Sequence, residues 1–235
     1  PLRAIPPARR CLLPPDTMPV FASYEDFAAS ISSVTPCALV IGNFDGVHRG
    51  HAALIAEARR RIGAAGRVVV LTFFPHPASV LSPQNAPLVL VSSQRKRELL
   101  QLAGADDVIE QRFDSDFAQL SATEFVERII LAGPPPRAVC VGHDFRFGRG
   151  RAGDAALLGQ LLVRQGTVVT QLGAITVNTP SGDTLTCSST LIRKALADGD
   201  VDRAELWALS DDDFRALTPG RFPPGARLVE TVTAR

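Results

Sequence analysis

The chain is poor in the features that would settle several function classes at once. Its 25 basic residues are balanced by 24 acidic ones, a formal net charge of +1, so bulk attraction to nucleic acid or an acidic membrane is excluded. Lysine is nearly absent: Lys96 and Lys194 are the only two among the basic residues. With the abundance of alanine and proline, that arginine bias reads as the imprint of a GC-rich genome and not as phosphate recognition. Cys11, Cys37, Cys140 and Cys187 are scattered without a Cys-x-x-Cys pair, which argues against a zinc site or disulfide frame and for small core residues in a reducing compartment. No apolar run approaches the length of a membrane span. The first 17 residues carry prolines and arginines but no apolar signal core, so the expected location is cytoplasmic. There is no Gly-x-x-x-x-Gly-Lys-Ser/Thr loop and no His-Glu-x-x-His motif, which removes the Walker ATPases and the zincin proteases.

What remains is the composition of an ordinary soluble globular domain, 46% hydrophobic and 21% charged over 235 residues. From Met18 onward, short apolar runs alternate with amphipathic segments, the pattern of a parallel sheet with covering helices. Strands are expected at Ala38–Ile41, Val68–Phe73, Asp107–Glu110, Ala138–Val141 and Thr167–Gln171. Helices are expected at Ala52–Ile62, Gln94–Ala103 with Ser92 or Ser93 as cap, Ser121–Leu131 with a capping box, Asp154–Arg164, and from Thr186–Thr190 through Leu196. Arg95-Lys96-Arg97 reads as a solvated helix face.

The most informative stretch is Cys37-Ala-Leu-Val-Ile-Gly-Asn-Phe-Asp-Gly-Val-His-Arg-Gly-His51. An apolar strand ends in a turn of Gly42, Asn43, Phe44, Asp45 and Gly46, and His48 and His51 then stand in or just before the first turn of a helix. Free N–H groups and the positive end of the dipole favour an anion there, and Gly50 lets a phosphate approach the backbone closely. All four histidines, His48, His51, His76 and His143, follow strand-like runs. In an open parallel sheet such junctions share the edge where ligands bind, so four sequence-distant segments are expected to converge on one cleft.

Ser188-Ser189-Thr190 with Arg193 is a second candidate phosphate site, on a helix that is otherwise simply well capped. A cation in its first turn opposes the dipole and calls for an anion. Phe145 and Phe147 alternate with Asp144 and Arg146, and are either core residues or a face for a planar ring. Pro75 and Pro77 stiffen the backbone around His76. Zinc binding by His48, His51 and Asp45 is disfavoured by the loose spacing.

Four ordered blocks now resemble the prokaryotic FAD synthetases, members of the wider His-x-Gly-His nucleotidyltransferase superfamily. They are Gly42–His51, Thr72-Phe-Phe-Pro-His-Pro77, Val141-Gly-His-Asp-Phe-Arg-Phe-Gly148 with Arg151 and Gly153-Asp154, and Ser188-Ser-Thr-Leu-Ile-Arg193. The resemblance runs from about residue 36 to 205. It implies an α/β Rossmann-like open parallel sheet with helices on both faces, over residues 18–200, with an extension at 1–17 and a tail at 201–235. It further implies an FMN adenylyltransferase: ATP and FMN give FAD and pyrophosphate, with Mg2+. His48, His51 and Arg193 would be catalytic. Gly42, Asn43, Phe44, Asp45, Gly46, Ser188, Ser189 and Thr190 would join them around ATP, and Pro75, His76, Pro77, Asp144, Phe145 and Phe147 would shape the flavin side.

Family members usually continue into a β-barrel riboflavin kinase domain with a Gly-x-Pro-Thr-Ala-Asn motif. Only 42 residues follow Arg193 and none forms that motif; a single strand at Ala226–Thr233 cannot close a barrel. The expectation is therefore an adenylyltransferase without kinase activity. The alternatives are a fragment of a bifunctional riboflavin kinase/FAD synthetase, or a non-catalytic flavin- or nucleotide-binding module.

Overall fold

The computed structural model describes residues 18–31, 35–178, 182–200 and 204. The expected extension at 1–17, the tail beyond residue 204 and the strand at Ala226–Thr233 lie outside the described residues. Six strands form one sheet: Val20–Phe21 (β1), Cys37–Ile41 (β2), Arg67–Phe74 (β3), Asp107–Arg112 (β4), Ala138–Val141 (β5) and Val168–Gln171 (β6). Their order is β1-β4-β3-β2-β5-β6, with every neighbouring pair parallel.

The central strands β2 and β5 are apolar at every position, and β3 is apolar and buried from Val68 to Leu71, because both faces are covered. Successive side chains point to opposite faces. Leu39, Ile41, Val69, Leu71, Val139 and Val141 thus face one layer, built from Tyr24–Ser30 (α1), the segment after Ser121, and a helix at Ala155–Leu162. Ala38, Val40, Val68, Val70 and Cys140 face the other, where Leu54, Ile55 and Ala58 of Arg49–Ile62 (α2) and Leu99 and Leu100 of Ser93–Leu102 (α3) pack. This is the Rossmann-like sheet with helices on both faces that the resemblance implied. The chain runs from β2 to β3 to β4 in one direction and returns to place β5 and β6 on the other side of β2. That reversal opens a crevice between the ends of β2 and β5.

The expected elements are present with ends shifted by a few residues, and their caps form as read. Ser92 accepts from the Arg95 N–H at 3.2 Å, and Ser121 and Glu124 make both arms of a capping box. The helix behind that box departs from expectation: one α-turn at Ala122–Phe125 gives way to a π-helical turn at Val126–Ile130. Short elements escaped the sequence reading because periodicity has no purchase on them. Among them are β1, the seven-residue helix α1, the one-turn helices Pro77–Leu81 and Ser115–Ala118, and an antiparallel pair of Thr176–Asn178 with Thr184–Thr186.

One surface assignment is corrected. Arg95 and Arg97 pair with Glu98 and Glu110, but Lys96 between them is 8% exposed. Three and four residues before Leu99 and Leu100, it falls on the buried stripe of α3, and its ammonium donates to Thr72 of β3 at 3.2 Å.

Opposite the crevice, β3 and β4 are held by a bidentate pair: Arg67 donates to the buried Asp107 carboxylate at 2.6 and 2.5 Å. Removing one partner costs more than removing both, because the survivor is left without compensation. Asp107→Ala is expected to destabilise the fold by about 2 kcal/mol, discounted for the partial exposure of Arg67. Arg67→Met with Asp107→Leu should recover most of that loss, as read by urea unfolding.

Candidate active site

The crevice at the strand reversal opens into a cleft of ≈ 420 Å³. All four histidines line it, with residues from each of the four sequence blocks. The convergence expected from the junction pattern is what the fold delivers.

The floor is the N-terminus of α2. His48 is its N-cap and His51 its third residue, and their rings stack at 3.7 Å between centroids, with the Phe44 ring tilted against His51 at 4.9 Å. His51 Nδ1 accepts from the His48 backbone N–H at 3.2 Å, which places the proton of the neutral ring on Nε2. Nδ1 of His48 is buried and has no hydrogen-bond partner among the described residues. Burial is the largest influence on both rings, lowering His48 to about 4 against a pull upward from Asp144. His51 is held well below its ordinary value by burial, then by His48 and Lys96. Both are therefore neutral near pH 7. A Cβ on Gly50 would sit 3.0 and 3.1 Å from the His48 ring, so glycine there gives the imidazole its place.

The turn before α2 is held from several sides. Asp45 is 4% exposed. Its carboxylate accepts the Leu90 N–H at 3.0 and 3.1 Å and forms an ion pair with Arg193. Arg193 also donates through Nε to the Leu88 carbonyl at 2.7 Å, and Ser189 Oγ donates to the Asp45 carbonyl at 2.7 Å. At Gly46, with φ +79°, a Cβ would lie 2.7 Å from Leu90 Cδ1, so that glycine seats Leu90 and does not itself line the cleft.

The helix carrying Arg193, Ser189–Ala197, has Ser188 as N-cap, accepting from the Leu191 N–H at 3.2 Å. Arg193 is its fifth residue, in the second turn and not the first, and the anion expected to offset it is supplied by the protein itself, as Asp45. With Ser188 and Ser189 engaged, Thr190 presents the exposed hydroxyl of the trio.

On the far wall, Asp144 and Phe145 line the cleft, while Phe147 is turned into the core against Phe125, at 5.3 Å between ring centroids. The alternating aromatics thus divide, Phe145 to the cleft wall and Phe147 to the core. Antiparallel hydrogen bonds between Phe147 and Gly153 close this loop, which brings Arg146 and Arg151 to the rim. His76 lines the cleft with Nδ1 accepting from the Ala78 N–H at 3.2 Å; Pro75 and Pro77, expected on the flavin side, are not among the lining residues. Burial lowers the His76 pKa. Sequence reasoning passed over Arg146, Leu172, Ile175 and Cys187 as lining residues and Lys96 as a buried cation; the single signal for Lys96 was its i−3 and i−4 spacing from two leucines.

Among the described residues no group of three or more His, Cys, Asp or Glu could cage a metal, and no helix is long and apolar enough to cross a membrane. A solved structure described as a macrolide-efflux protein of Streptococcus pneumoniae shares the fold, with a TM-score of 0.63 at 27% identity over 80% of this chain and 58% of that one. A bifunctional riboflavin kinase/FMN adenylyltransferase of Pseudomonas fluorescens is 39% identical over 172 residues, and that of Escherichia coli K12 is 38% identical over 173. Each match takes in 72% of this chain and 53% of the relative, so the chain spans about half the length of the curated relatives it matches. The family model described as FAD synthetase matches residues 30–184, a stretch that holds three of the four blocks and most of the sheet, and the chain accordingly belongs to the FAD synthetase family.

Proposed function

We propose that residues 18–200 form an FMN adenylyltransferase, transferring AMP from ATP to FMN to give FAD and pyrophosphate. The observation that carries this reading is the pair of neutral imidazoles at the N-terminus of α2, facing the hydroxyl-bearing end of the Arg193 helix across one cleft. A phosphate oxygen of FMN attacks the α-phosphorus of ATP in line. The new P–O bond forms as the bond to the α–β bridging oxygen breaks, and pyrophosphate leaves. No protein nucleophile is needed, since positioning and charge neutralisation carry the chemistry.

His48 and His51 sit where charge grows on the bridging oxygen. His51 offers Nε2–H as a donor, and an arriving polyanion favours the protonated form of either ring. Thr190 and the backbone N–H groups of both helix ends hold the phosphates. Arg193 reaches them by exchanging Asp45 for a phosphate oxygen, or acts by fixing Asp45 in place. Phe145 and His76 offer faces to the planar rings, with Gly42, Asn43 and Phe44 at the cleft floor. Magnesium takes few protein ligands beside nucleotide phosphates. The residues fit that demand: Asp45 is committed internally, whereas Asp144 faces the cleft with no hydrogen bond or ion pair among the described residues, and would hold the ion. When bound, magnesium would neutralise charge on the phosphates.

Incubation with magnesium and ATP should release pyrophosphate with FMN, and not with nicotinamide mononucleotide, pantetheine phosphate or glycerol phosphate. Binding of ATP and FMN without release would favour the non-catalytic module. His48→Ala and His51→Ala should each lower kcat by roughly 10²- to 10³-fold while flavin affinity changes little; full activity in the double variant would sink the assignment. Arg193→Lys keeps the charge but loses the planar fork, and a raised KM for ATP or a lower kcat is expected.

The lowered pKa of His48 also sets a pH dependence. Between its folded value of about 4 and an unfolded value of about 6.5, the unfolded chain binds the extra proton. Stability therefore rises with pH across that window and falls as pH drops through it, by up to about 3 kcal/mol. His48→Asn should flatten the slope in urea unfolding followed over that range, and an unchanged slope would contradict the neutral assignment.

A further inference from the structure

Lys96 is a charged group that the reading above leaves without a task. It is buried, its ammonium donates to Thr72 Oγ1 at 3.2 Å, and Thr72 Oγ1 in turn donates to the Asn43 carbonyl at 3.1 Å. A chain of two hydrogen bonds thus runs from α3 through the fully buried Thr72 of β3 into the turn that opens the cleft. An ammonium has three donors, and among the described residues this one makes no ion pair. The carboxylates whose charge reaches it are Glu110 on β4 and Asp45 in the turn, and each already holds an arginine, Arg97 and Arg193 respectively. Three cations therefore share two carboxylates, leaving one positive charge in excess beneath the cleft.

An unpaired buried charge costs stability. A fold that keeps one against that cost does so where the charge meets something that arrives later, and the nearest opening is a cleft lined by anion-binding helix ends. We propose that Lys96 is a positioning residue of the nucleotide site. Its ammonium fixes the Asn43 carbonyl through Thr72 and supplies, from behind the turn, excess positive charge for the triphosphate of ATP. This rests on the nucleotidyl-transfer reading for the identity of the ligand.

The test uses the full chain with ATP and magnesium or with FMN in titration calorimetry, alongside thermal melting. Lys96→Met removes charge and hydrogen bond together. It should weaken ATP binding about 30-fold, leave FMN binding within about twofold, and melt at or above the wild-type temperature, because an uncompensated buried charge is gone. Thr72→Val keeps the charge and breaks the relay, and should weaken ATP binding only about fivefold. Lys96→Arg should recover ATP binding to within about fivefold of wild type by restoring the charge. Unchanged ATP affinity in Lys96→Met would overturn the proposal. So would a lowered melting temperature with ATP and FMN binding lost alike, the signature of a residue needed only for folding. Because binding is read without turnover, wild-type protein that binds ATP yet releases no pyrophosphate would overturn the transfer reading and leave the Lys96 result standing. Wild-type protein that binds no ATP would overturn both.

Discussion

The carboxylate of Asp45 is the constraint on which the site depends. It is buried at the turn after β2, accepts the Leu90 N–H with both oxygens, and pairs with Arg193. Three segments far apart in sequence therefore meet on one side chain: the first block, the loop before α3, and the helix Ser189–Ala197. Ser189 adds a fourth tie, to the backbone of the same residue. Burying a carboxylate is costly unless it is paired and hydrogen-bonded, so the cost of its burial and the assembly of the cleft are one problem with one solution. A small cluster of Leu90, Val177, Cys187, Ile192 and Ala195 is the hydrophobic seat of the helix that carries Thr190 and Arg193, and Leu90 belongs to the Asp45 arrangement as well.

The histidines follow the opposite electrostatic logic. Charged imidazoles would attract a triphosphate more strongly, yet burial holds both rings neutral in the free protein. Two positive rings at a centroid separation of 3.7 Å would repel each other, and His48 adds to the lowering of the His51 pKa. In the proposed adenylyltransferase, fixed N–H donors and helix dipoles would therefore provide the resting attraction for phosphate. The rings keep their capacity for charge until an anion lies against them.

The location of the cleft was legible in the sequence because βα junctions in a parallel sheet share an edge. Gly-rich and His-rich segments that follow apolar runs must then meet, and the four histidines did. Which atoms face the ligand was not legible. Phe145 and Phe147 alternate identically along the chain, but the bonds between Phe147 and Gly153 turn one ring into the core and leave the other at the cleft. Arg193 was placed one turn too early on its helix, and the source of its counter-charge, 148 positions away in sequence, leaves no local trace. Lys96 misled for a plain reason: between two arginines on a helix, charge pattern outweighs the leucine spacing that buries it.

Holding the turn open has its own cost, and the magnitudes show what offsets it. Phe44 and Val47 adopt positive φ, 51° and 32°, a region that side-chain-bearing residues, β-branched ones above all, seldom enter. Each such residue costs on the order of 1–3 kcal/mol. Phe44 is completely buried and Val47 nearly so, and burying either side chain contributes about 1.5–3 kcal/mol, so the two effects come close to balance. What remains to tip the balance is polar: the Thr72 bond to the Asn43 carbonyl and the ties at Asp45. The turn that presents the helix end to a ligand is thus held by the same buried polar groups that set its charge. A substitution that relaxes its geometry changes its field at the same time.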